Sequence, residues 1–125
     1  MYIEYLDALA GAGKTRALAR RADHLARRGR KVLFIQPTKH LIDKTIQDEL
    51  WPLDPPYPYC AIHGDANLGS GSVVGSLVAH FQTTGVGGEI LFATHAAFFR
   101  LPYIERKQDW TLFVDEIPQV DVFDE

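Results

Sequence analysis

The sequence predicts an α/β chain: a parallel sheet with helices on both faces. Three observations predict it. Short apolar runs alternate with segments of helical apolar spacing along the 125 residues. The run Val32-Leu33-Phe34-Ile35 is continuous rather than alternating, which suits a strand buried on both faces. Gly11 and Gly13 break the first apolar segment just before a helical pattern, giving a strand, a tight turn and a helix in that order.

The elements follow in order. Tyr2 to Leu9 suits the first strand. A helix is predicted from Lys14 to about Arg28, with Leu18, Ala22 and Leu25 on one face and Gly29 as its stop. After the Val32–Ile35 strand, a second helix should run from Lys39 to Trp51. Thr38 is its N-cap, Ile42, Ile46 and Leu50 are stacked, and Pro52 ends it. Pro52 to Pro58 reads as a stiff loop. Tyr59 to Ile62 is a weaker strand, and Asn67 to Ser72 a loop. Val73, Val74, Leu77, Val78 and Phe81 have helical spacing, with Gly85 beyond them. Glu89 to Ala93 and Trp110 to Val114 are strands, with a short helix from Ala96 to Leu101 between them.

Composition bounds the function classes. Apolar residues make up 46% and charged residues 23%, as in an ordinary globular domain, and neither a repeat nor a linker divides residues 1–125. A net charge of -3 argues against a strongly basic nucleic-acid clamp but leaves room for a local patch. Cys60 is the only cysteine, so an internal disulfide and a cysteine-rich metal site are both excluded. The start lacks the pattern of a signal peptide, and no apolar run approaches the ~18–20 residues that cross a bilayer. A cytoplasmic setting without a membrane partner is expected.

Two motifs carry chemistry. Ala8-Leu9-Ala10-Gly11-Ala12-Gly13-Lys14-Thr15 has the Walker A layout, with alanine in the first glycine slot. Residues without bulky side chains let the main chain wrap an anion, and the helix start supplies N–H groups and positive potential. Ala10, Gly11, Ala12, Gly13, Lys14, Thr15 and Arg16 are the expected contacts to a nucleotide, ATP. Lys14 would reach the β- and γ-phosphates, and the Thr15 hydroxyl would ligate Mg2+. Leu112-Phe113-Val114-Asp115-Glu116 is an apolar strand ending in two carboxylates, the Walker B pattern. Asp115 would hold the metal and Glu116 would orient the attacking water. The adjacent pair favours hydrolysis over small-molecule phosphorylation. Neither an Asn-Lys-x-Asp guanine-reading element nor a Leu-Ser-Gly-Gly transporter signature occurs.

Together these residues resemble superfamily 2 helicases of the DEAD/DEAH-like kind. Ala8 to Thr15 is similar to that family's motif I. Phe34-Ile35-Gln36-Pro37-Thr38-Lys39-His40-Leu41 is similar to motif Ia, and Val114-Asp115-Glu116-Ile117-Pro118 to motif II. Thr94-His95 is similar to a short threonine motif that touches the nucleic-acid backbone. The resemblance implies the first RecA-like domain of a helicase motor: a three-layer α/β/α P-loop fold, incomplete in this chain. ATP hydrolysis would be coupled to translocation along nucleic acid, or to its unwinding. Pro37, Thr38, Lys39, Thr94 and His95 would line the track, with DNA preferred to RNA, although Pro37-Thr38 could equally end a strand and cap a helix. In that family a motif III strand lies between the motif I and motif II strands. With Glu125 the last residue, that strand and the second RecA-like domain would be missing, leaving a gap in the sheet and weak turnover. Motif II reads Asp-Glu-Ile-Pro rather than Asp-Glu-Ala-Asp, and an upstream adenine-reading motif is lacking. The alternatives are a non-helicase P-loop ATPase of AAA+ or packaging-motor type, and a nucleotide-binding fragment without catalysis. Arg16, Arg20, Arg21, Arg27, Arg28, Arg30 and Lys31 make the first helix and its exit basic. Their spread around the helix reads as a solvated face.

Overall fold

The structure, a computed structural model, describes residues 2–4, 12–63 and 73–115, with the main chain alone for 2–4 and 12. Among the described residues, five strands form one sheet: β1 (Tyr2–Glu4), β2 (Lys31–Gln36), β3 (Tyr59–Ala61), β4 (Glu89–Thr94) and β5 (Trp110–Val114). Their order is β1-β5-β2-β4-β3, and every pairing is parallel. The α-helices described between and beside them are α1 (Ala12–Arg27), α2 (Lys39–Thr45), α3 (Val73–Thr83) and α4 (His95–Phe99).

Strand alternation sorts the core into two halves. Val32 and Phe34 of β2, Ile90 and Phe92 of β4 and Phe113 of β5 face one way. They pack against Leu18, Ala22 and Ala26 of α1 and Ile42 of α2. Leu33 and Ile35, Leu91 and Ala93, and Trp110 and Leu112 face the other way, against Leu77 and Phe81 of α3 and Ala97 of α4. The layers are therefore helix, sheet, helix. The expected α/β class holds, and β2 and β4 are buried along their length as continuous apolar runs require. Among the described residues, no helix is long and apolar enough to cross a membrane.

The neighbour of β5 differs from the helicase-like expectation. Tyr2, Ile3 and Glu4 pair directly with Thr111, Leu112 and Phe113. No strand lies between β1 and β5, and the sheet has no central gap. The physical reason is that an open side of β5 would leave main-chain N–H and C=O groups unpaired beside a packed core, and β1 satisfies them.

The second helix also departs from expectation. Its α-helical part stops at Thr45, and Ile46–Leu50 widens into a π turn, in which the Trp51 N–H donates to the carbonyl of Ile46. A 3-10 turn over Trp51–Leu53 follows, with Pro52 inside it, where a missing N–H costs little. The proline-rich loop is then anchored from α1. The Arg27 guanidinium donates to Leu53 O at 2.7 Å, and the Tyr57 hydroxyl donates to Asp23 at 2.6 Å. Burial, and then that bond, push the Tyr57 phenol up from its ordinary value.

Lys31 does not belong to a solvated basic face. It opens β2 from inside the protein, 8% exposed, and its ammonium donates to Glu89 at 2.8 Å and to Gly87 O at 3.1 Å. His80 donates to the other Glu89 oxygen at 2.6 Å, and Thr84 donates to the carboxylate as well. This cluster sits at the amino ends of the strands.

Gly88 shows how closely α1 approaches the turn before β4. A Cβ built there would lie 1.9 Å from the carbonyl oxygen of Ala26. Main chain cannot swing away as a flexible side chain can. Gly88→Ala is therefore expected to destabilise the fold by about 1–3 kcal/mol, measured by urea denaturation. A variant as stable as the parent would show that α1 is not held there.

Candidate functional site

The carboxyl ends of β5, β2 and β4 lie side by side. Register pairs Ile35 with Val114 and Gln36 with Thr94, so Asp115, Gln36 and Thr94 come out at one edge of the sheet. In open parallel sheets this edge is where ligands bind. The start of α1 faces it.

Two sequence motifs meet here. Thr15, in the first turn of α1, donates its hydroxyl to Oδ2 of Asp115 at 2.9 Å across 100 residues of chain. Asp115 is fully buried. Its position is fixed from several sides. Its N–H donates to Ile35 O at 2.8 Å, extending the β2–β5 ladder by one step. Its carbonyl accepts from Nε2 of His95 at 3.1 Å, which requires the proton of His95 to sit on that nitrogen. Oδ2 also accepts from Nε2 of Gln36 at 2.9 Å. The other carboxylate oxygen, Oδ1, is buried and has no hydrogen-bond partner among the described residues. Leaving such an atom unpaired costs about 1–3 kcal/mol, more for a charged group, which marks a place for an ion or water.

The surroundings would suit an anion. The first turn of α1 holds no acidic residue, so nothing on the helix neutralises its positive end. Lys14 and Thr15 are both half-buried there. Arg16 points outward to Glu49 of the π turn at 3.4 Å. A small pocket of ≈ 80 Å³ opens between α1 and α2, lined by Thr15, Leu41, Lys44, Thr45, Asp48 and Glu49. Among the described residues, no three His, Cys, Asp or Glu side chains converge as a metal cage. A magnesium ion riding on a triphosphate does not need one. It takes one or two protein oxygens and completes its shell with phosphate and water. The Thr15 hydroxyl and the unpaired Asp115 oxygen fit that demand.

The other predicted residues fall as follows. Ala8 to Gly11 and Glu116 to Pro118 lie outside the described residues, as does the loop from Asn67 to Ser72. Ala12 opens α1, and Gly13 follows it, exposed. Of the expected track, Pro37 is half-buried, and Thr38 and Lys39 are exposed at the head of α2. Thr38 caps that helix, accepting from the N–H of Leu41 at 3.0 Å. Thr94 caps α4 in the same way, accepting from Ala97 at 3.2 Å. His95 is turned inward, 8% exposed, against Asp115. His63, at the end of β3, is buried and lies 3.3 Å from Asp43 of α2.

Sequence reasoning missed Gln36 and Thr45. Gln36 is fully buried, and besides Asp115 its Nε2 donates to Oγ1 of Thr45 at 2.8 Å. The available signal was a polar residue closing a fully apolar strand, followed by a threonine on the buried face of the next helix. Comparison with protein-family models, with curated proteins and with solved structures found no match, which leaves the chemistry of the site as the ground for a functional reading.

Proposed function

We propose that this chain binds a nucleoside triphosphate, ATP, together with Mg2+, as a P-loop ATPase module, and that it serves as the first RecA-like domain of a helicase-type nucleic-acid motor. The observation that carries the nucleotide part is the 2.9 Å bond between Thr15 and Asp115. It joins the Gly-Lys-Thr helix start to the carboxylate at the end of an apolar strand, the two groups that a magnesium triphosphate needs side by side. Lys14 would place a positive charge beside the β- and γ-phosphates, and the N–H groups of the first turn of α1 would donate to the phosphate oxygens. Thr15 and Asp115 would hold the cation. When bound, that ion supplies charge neutralisation to the phosphoryl group in transfer. Glu116 would orient water. The nucleic-acid part rests on the likeness of Pro37-Thr38-Lys39 and Thr94-His95 to helicase motifs, and on the exposure of Thr38 and Lys39 at the sheet edge where Asp115 emerges; His95, buried against Asp115, would stand behind that surface.

One observation favours a second reading. The direct pairing of β1 with β5 leaves no place between them for the motif III strand of the helicase arrangement. In that reading the chain binds nucleotide without nucleic-acid-coupled turnover.

Titration of a fluorescent ATP analogue, with Mg2+ and with EDTA, tests the nucleotide reading. Binding tightened by Mg2+ is expected, and no binding in either medium would sink it. Turnover assayed with and without single-stranded DNA and RNA separates the two forms: stimulation supports the motor, and binding without turnover supports the second reading.

A further inference from the structure

We infer that Gln36 is a positioning residue that aims the Asp115 carboxylate by tying it to Thr45 of α2, an inference that rests on the nucleotide–magnesium reading above. The side chain ends β2 inside the protein with no exposed surface. Val32 to Ile35 before it are all apolar, so packing alone would be met by leucine or methionine at this position. The amide instead spends both protons of one nitrogen. One goes to Oδ2 of Asp115 at 2.9 Å and the other to Oγ1 of Thr45 at 2.8 Å. Its own oxygen, Oε1, is buried without a hydrogen-bond partner among the described residues. Flipping the amide would set that oxygen against the carboxylate, so the orientation is fixed by charge.

The arrangement has a consequence for Asp115. Oδ2 receives two donors, Thr15 and Gln36, and is saturated by them. Oδ1 is left as the oxygen with capacity for a cation. A methyl group in place of the amide would release one of the two ties and let the carboxylate rotate about its Cβ–Cγ bond. Thr45 matters for a further reason. It lines the pocket shared with Thr15 and is the last α-helical residue before the π turn at Ile46. Its position therefore transmits the seating of α2 to the carboxylate through one side chain. Hydrogen-bond partners behind a metal ligand act in this way, and their loss typically weakens metal affinity about 10- to 100-fold.

The test uses the 125-residue chain and its Gln36→Met and Thr45→Val variants. A fluorescent ADP analogue is titrated in Mg2+ and in EDTA, and the melting temperature is recorded beside each titration. For Gln36→Met, affinity in EDTA is expected to match the parent, while the tightening produced by Mg2+ falls about 10- to 100-fold. Thr45→Val should shift the same quantity in the same direction by less. It decides the matter if the methionine variant does not fold. A tightening by Mg2+ equal to the parent's overturns the inference while leaving the nucleotide site standing. Equal losses in both media also overturn it, because a purely structural tie would act that way. A parent chain that binds no nucleotide removes the nucleotide reading itself, and the inference with it.

Discussion

Lys14→Ala is expected to abolish measurable triphosphate binding while leaving the fold intact. Lys14 sits in the first turn of α1, half-buried, beside the Thr15 that bonds to Asp115. That turn carries no acidic side chain. A triphosphate placed against it would meet the positive end of the helix, but helix ends contribute only about 0.3–1 kcal/mol at exposed positions. The lysine is the group able to make a full charge pair with the β- and γ-phosphates. Truncating one member of such a pair costs about 2–5 kcal/mol, or roughly 30- to 5,000-fold in affinity. The melting temperature should stay near that of the parent, because the core of α1 is made by Leu18, Ala19, Ala22 and Ala26. Titration of a fluorescent ATP analogue in Mg2+ reads the result. An affinity equal to the parent's would end the nucleotide reading, and a loss of affinity accompanied by unfolding would remove Lys14 from its role.

Much of the fold was legible because burial on two sides leaves a plain trace. Val32 to Ile35 could be read as a buried parallel strand, and Leu18, Ala22 and Leu25 marked the face of α1 that meets it. The caps were readable for the same local reason, since Thr38 acts on a helix that begins one residue later. Long-range choices were not. Nothing in Tyr2–Glu4 says which strand it will pair with, and a likeness to helicases suggested a neighbour other than β5. Lys31 looked like the end of a basic run, because its partners Gly87 and Glu89 lie far along the chain. At the site, Thr15 and Asp115 were legible from their motifs. Gln36 was not, since a buried amide acquires its meaning only when β2, β5 and α2 are placed together. The π turn was invisible for a similar reason: Ile42, Ile46 and Leu50 keep helical spacing whether or not one turn is widened.

Glu89→Gln is expected to destabilise the chain by about 3–5 kcal/mol at neutral pH, through a site remote from Asp115 in function and at the opposite edge of the sheet. Glu89 opens β4 with 5% of its surface exposed. Burial by itself would raise its carboxyl. Hydrogen bonds from His80, Lys31 and Thr84, helped by the charge of His80, outweigh that and bring it down from 4.5 to about 2. The sign of the pH dependence follows. A carboxyl held below its unfolded value adds stability that is complete above that value and is lost as protons bind in the folded state. The parent should therefore weaken as pH falls from 4.5 towards about 2. Glutamine removes the ionisation and also turns an amide N–H2 towards donors. Lys31 would then keep its bond to the carbonyl of Gly87, and its ammonium would lie over the Trp110 ring, 5.7 Å from its centre, without the carboxylate charge. Urea denaturation at a series of pH values reads both effects. The parent and variant curves should converge as pH drops through that window, because protonation does to the parent what the substitution does at every pH. Curves that run parallel from pH 5 to pH 2 would mean that the carboxylate of Glu89 is not what holds the amino ends of β2 and β4 to α3.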